Sequence, residues 1–214
     1  MSNTRTRVRR AVLAALAVSA ALTLAACGGG SGGHEGHAAA APTASAVSTA
    51  GAHNAQDVAF AQGMIPHHRQ ALDMARLAAG KASSAQVKDL ASRIQKAQDP
   101  EIRTMSGWLE AWGEDVPQAG GSSMPGMDHS AHTGGHSAMP GMMGDEDMEK
   151  LEKASGKDFD TMFLTMMTEH HQGAVRMATT EQAKGRYGPA KAMAGDIVTA
   201  QNAEIQEMRK LLGQ

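Results

Sequence analysis

Two histidine pairs stand in the same local setting. Met64 precedes His67 and His68 by three and four residues, and Met167 precedes His170 and His171 in the same way. On a helix, that spacing puts thioether and imidazole on adjacent surfaces. Soft thioethers select Cu(I), while imidazole suits Cu(II) and also zinc or iron. These six residues are therefore the candidate metal ligands of a core site. A second donor set lies between them: Met124, Met127, His129, His132, His136, Met139, Met142 and Met143. In it Met-Pro-Gly-Met occurs twice around three spaced His. Exposed Met in a linker is prone to oxidation and contributes no packing, so this stretch reads as a copper-binding loop. The chain has 16 Met and 10 His but one Cys, which excludes a disulfide framework and a thiolate-built zinc site. Copper is the favoured ion; zinc and iron are less favoured.

The elements that must position these groups are also legible. The segment from Asp57 through Phe60, Met64, His67, His68, Ala71 and Met74 matches that from Asp160 through Phe163, Met167, His170, His171, Ala174 and Met177. Ile94, Gln98, Glu101 and Met105 match Ile197, Gln201, Glu204 and Met208 in the same register. The repeating unit is a helix pair, present twice. At 100° per residue Phe60, Met64, His67, Ala71 and Met74 form one stripe, with His68 at its edge. Val87, Leu90, Ile94, Gln98, Glu101, Met105, Trp108 and Trp112 form the stripe of the second helix. Breaks fall near Gly80 and Lys81, and again at Gly185 to Pro189. Four such helices predict an all-α four-helix bundle with a long central loop rich in Met, His and Gly. Aromatic residues make up 3% of the chain, too few for the sandwich and barrel folds that rely on them. Pro66 should kink the first helix.

His67, Glu101, His170 and Glu204 each interrupt an apolar stripe, and such groups must be paired or bound when buried. One reading is a His–Glu hydrogen bond across each helix pair, completed by Gln98 or Gln201, acting as a polar tie. The other is a metal site in which Asp57, Gln98, Glu101, Asp160, Gln201 and Glu204 are further ligands or orient the ligands. Both stay open at this level. If metal binds, the sites should fall into two classes, a preformed core and a loop that orders around the ion. Cu(II) binding should weaken as pH falls through about 6.5, the unperturbed imidazole range.

The N-terminus is read as a targeting segment. Arg5, Arg7, Arg9 and Arg10 precede an apolar run from Ala11 to Ala26 that is signal-peptide-like and short for a membrane span. It ends in Leu24-Ala25-Ala26-Cys27, which resembles the bacterial lipobox; that resemblance implies cleavage and lipidation at Cys27. Formal charge is −2, and removing residues 1–26 deletes four Arg and no acid, so no basic face argues for nucleic acid. The expected organisation is a signal peptide over 1–26, a tether over 27–53, helix pairs over 54–112 and 157–214, and the loop over 113–156. The expected partners are the membrane, through lipid, and a copper-handling protein. The expected location is the outer face of the cell membrane.

The doubled Asp-x-x-Phe-x-x-x-Met-x-x-His-His-x-x-Ala-x-x-Met pattern, at Asp57–Met74 and Asp160–Met177, resembles the bacterial domain-of-unknown-function family 305. The resemblance extends over roughly residues 54–212. It implies a ferritin-like bundle, exported and linked to copper binding or tolerance. Three functions compete: copper binding and buffering, a ferritin-like metallo-oxidase, and a metal-free structural or partner-binding bundle. Di-iron oxidases need a richer carboxylate set than two His and one Glu per half. No nucleophile–base constellation appears either, so the chain is not expected to be an enzyme.

Overall fold

The computed structural model describes residues 51–118 and 139–214. Cys27, the signal and most of the tether, and Met124, Met127, His129, His132 and His136 lie outside the described residues. Among the described residues five helices follow in order: α1 (Ala55–Lys81), α2 (Ala85–Trp112), α3 (Asp145–Lys153), α4 (Gly156–Lys184) and α5 (Gly188–Leu211). The four long ones form the expected bundle. The central stretch is not wholly loop: Asp145–Lys153 forms α3, with three acids in its first turn and lysines in its last, as the helix dipole favours.

Local signals set the helix limits. Asn54 caps α1, its side chain accepting from the amides of Gln56 and Asp57, while Asp57 accepts from the Asn54 amide, a capping box. Ser84 caps α2, and Gly113 closes it in the left-handed conformation. Pro66 lies within α1, which continues through it.

Helices α1 and α4 pack against each other, with α2 against α1 and α5 against α4. The interior is divided. One apolar core holds Ala71, Met74, Leu90, Ile94, Phe159, Phe163, Met167 and Met208. The other holds Phe60, Met64, Ile65, Met105, Leu109, Ala174 and Ile197. Between them along the chain lie the buried polar residues His67, His68, Gln98, His170, His171 and Gln201. Each core draws on all four long helices, so a polar layer at mid-bundle separates two apolar cores.

Candidate metal centre

All four helical histidines are buried, none more than 1% exposed. The rings of His67 and His170 face each other across the α1–α4 contact, centroids 3.7 Å apart. His68 and His171 take the role expected for His67 and His170. His68 Nε2 donates to Glu101 at 2.7 Å, and His171 Nε2 donates to Glu204 at 2.7 Å. The His–Glu ties across each helix pair therefore exist, but they use the second histidine of each pair. The sequence put His68 at the edge of its stripe, yet His68 is fully buried because α2 covers that flank. The glutamines do not complete these ties. Gln98 and Gln201 are buried, and their carbonyl oxygens have no hydrogen-bond partner among the described residues.

The expected roles of Asp57 and Asp160 also need correction. Asp57 accepts from the backbone amides of Arg186 and Tyr187. Asp160 accepts from the amides of Ser83 and Ser84 and from the Ser83 hydroxyl. Each aspartate is ten residues before its first histidine, about 15 Å along a helix. They hold the bundle ends and leave the histidine layer to other residues.

The donor chemistry at mid-bundle fits a metal. His67 Nδ1, His68 Nδ1, His171 Nδ1 and both ring nitrogens of His170 are buried without a hydrogen-bond partner. A nitrogen hidden from water and left unpaired is costly. Binding an ion would remove that cost. Glu101 and Glu204 fix the ring orientation of His68 and His171, as carboxylates do for ligating imidazoles. Burial, reinforced by His68, lowers His67 to about 3. Burial and the neighbouring histidines hold His170 well below the usual imidazole range. Both rings are thus neutral, the form that ligates. Among the described residues no three His, Cys, Asp or Glu side chains come close enough together to hold one ion. An ion here would draw on thioether as well. Met64 and Met167 are both fully buried, one in each core, so they flank the histidine layer from opposite sides.

The end of the Met/His stretch is not a separate loop site. Residues Met139–Met143 lie as a strap on α1 and α4. His67 Nε2 donates to the Pro140 carbonyl at 3.2 Å. The Gln70 amide grips Met143 twice, accepting from its N–H at 2.8 Å and donating to its carbonyl at 2.9 Å. A Cβ at Gly173 would lie 1.9 Å from Pro140 O, so the strap touches the α4 backbone directly. Met143 is 8% exposed and packs in a core, and Met139 and Met142 are half-buried. Sequence reasoning missed Gln70, Gly173 and Pro140. Their one visible signal was that Gln70 and Gly173 are repeat equivalents of unlike type.

Helices α1 and α4, each carrying a His-His pair one turn from a Met, define a helical-bundle protein with a histidine-rich centre. The chain belongs to the DUF305 family, whose model, described as a domain of unknown function, matches residues 57–212. Among solved structures, a DUF305 protein from Streptomyces coelicolor, described as a candidate secreted protein, is similar at 33% identity and a TM-score of 0.62. That match covers 74% of this chain and 92% of the other. A DUF305 fragment from Deinococcus radiodurans is similar at 31% identity and a TM-score of 0.63, covering 75% and 97%. CopM in its Cu(II)-bound form is similar at 34% identity and a TM-score of 0.58, covering 72% and 94%. No curated protein matches this sequence.

Proposed function

We propose that this chain is an extracytoplasmic, lipid-anchored protein that binds and buffers copper, with a role in copper tolerance. The observation that carries the reading is the layer of four buried imidazoles with unpartnered ring nitrogens, flanked by Met64 and Met167. CopM, similar over 72% of this chain, has been solved with Cu(I), Cu(II) and Ag bound. The carboxylates nearest the centre, Glu101 and Glu204, are committed to His68 and His171, which favours binding over oxidase chemistry. Export and anchoring rest on the signal-like run and Cys27; among the described residues no helix is long and apolar enough to cross a membrane.

The test is competition titration of Ag(I), Cu(I) and Cu(II) into the wild type and into a His67→Ala/His170→Ala variant. The variant should lose at least one bound equivalent while keeping the His68–Glu101 and His171–Glu204 ties. Unchanged stoichiometry and affinity would make the imidazole layer purely structural. Anchoring is tested separately: Cys27→Ser should change the mass and lipid content of the mature protein.

A further inference from the structure

Gly63 stands in the interior of α1, where glycine is a poor helix former. Two methionine sulfurs lie over it. Met139 Sδ and Met177 Sδ are each 3.8 Å from the point a Cβ at Gly63 would occupy, so they are at most twice that distance apart. They come from different elements, Met177 from α4 and Met139 from the strap. His67, one turn further along α1, reaches the same strap through its bond to Pro140. The internal repeat supplies the contrast. The position equivalent to Gly63 is Met166, whose own side chain packs into an apolar core, so the second half has no such hollow.

We propose that Met139 and Met177 form a bis-thioether site for a soft monovalent ion, Cu(I) or Ag(I), over Gly63, with His67 one turn further along α1 as the candidate nitrogen donor. Thioethers are uncharged and select soft ions over zinc or iron. The site rests on the copper-binding reading of the chain and adds to it a place where an ion joins the strap to the bundle. With no side chain at Gly63, two long, flexible side chains from two different elements can place their sulfurs over the same stretch of α1 without opening the helix pair. The ion would hold the strap to α4 through side chains, in addition to the Gln70 clamp.

The experiment is Ag(I) titration of the full mature chain labelled with 13C-methyl methionine, with resonances assigned by single Met→Leu variants. The Met139 and Met177 methyl signals should move together and saturate at one equivalent. Met139→Leu/Met177→Leu should bind one equivalent fewer at unchanged helical content. Gly63→Leu, which fills the hollow but leaves both sulfurs, should do the same. If the wild type binds no Ag(I), the copper-binding reading falls and this site with it. If the wild type binds but both variants keep its stoichiometry and affinity, this site alone is overturned and the two methionines are packing.

Discussion

Burial decides the charge of the central histidines and so the direction of two pH effects. His67 is held down to about 3, while in an unfolded chain it titrates near 6.5. Between those values the unfolded state takes up a proton that the folded state refuses, so stability falls as pH drops from about 6.5 toward about 3. His170 acts in the same direction. The metal-free fold therefore keeps His67 neutral below pH 6.5, so its part in Cu(II) binding should persist below the range of unperturbed imidazole. Melting temperature should fall from pH 7 to 4, while the Cu(II) affinity of the folded protein holds. Affinity lost at pH 6 in a protein with unchanged melting would contradict this. Glu181 works the other way. Burial and the neighbouring Asp57 carboxylate push it from 4.5 up to about 8. Burial would raise Asp57 too, but the Glu181 side chain and the amides of Tyr187, Asn54 and Arg186 lower it overall. Glu181 thus holds a proton at neutral pH that the unfolded chain has lost, and stability should fall as pH rises from about 4.5 to about 8. Above pH 6.5 the histidine effect has ended, so a decline between pH 6.5 and 8 that Glu181→Gln abolishes would identify this carboxyl. Gly185 makes room for it, since a Cβ there would lie 2.1 Å from Glu181 Oε1. The other half has Ala78 and Ala82 at these positions and no carboxyl to house.

At the scale of elements, the strap depends on one missing methyl group. Gly173→Ala places a Cβ against the Pro140 carbonyl, and backbone cannot yield as a long side chain can. Alanine gains roughly 1 kcal/mol in helix propensity, whereas forcing extra volume into a packed contact costs about 1–3 kcal/mol. The variant should therefore be no more stable than the wild type and should release the strap. Amide exchange at residues 141–143 is the readout, and unchanged protection there would show that the strap tolerates the methyl group. The strap also marks the limit of what the sequence made legible. The four long helices, the repeat register, the chain breaks and the inward His67 and His170 follow from the period of the apolar residues. Which histidine of each pair meets Glu101 or Glu204 does not follow, because His67 and His68 differ by 100° and the decision rests on where α2 and α4 sit. Helix α3 was hidden inside a composition that reads as linker. Met139 to Met143 read as exposed because the surface they cover belongs to α1 and α4, and only Gly173 and Gln70 betray that contact.

At the scale of the molecule, the two halves hold each other by exchange. Asp57 of the first half takes the amides of Arg186 and Tyr187, and Asp160 of the second takes those of Ser83 and Ser84. These turn residues are repeat equivalents, so the pseudo-twofold relation is written in hydrogen bonds as well as in the His67–His170 ring contact. The ties sit at opposite ends of α1, whose 27 residues span about 40 Å. Removing either acceptor takes a charged partner from two partly buried turn amides, at about 1.5–3 kcal/mol for a hydrogen bond to a charged group, and sites so far apart should add within about 0.5 kcal/mol. Urea unfolding of Asp57→Ala, Asp160→Ala and the double variant measures this, and a double variant no less stable than either single one would mean that the ties are not independent. The same symmetry predicts what half the molecule does. Residues 54–112 alone expose the α1 face that α4 covers, and they carry both an Asp57 without its α4–α5 turn amides and the unused amides of Ser83 and Ser84. Two copies could satisfy each other, Asp57 of one meeting the turn of the other, so the fragment should sediment as a dimer. Asp57→Ala should return it to an unfolded monomer. A fragment that folds cooperatively as a monomer would show that each helix pair is stable alone and that the exchange of aspartates is not what joins the halves.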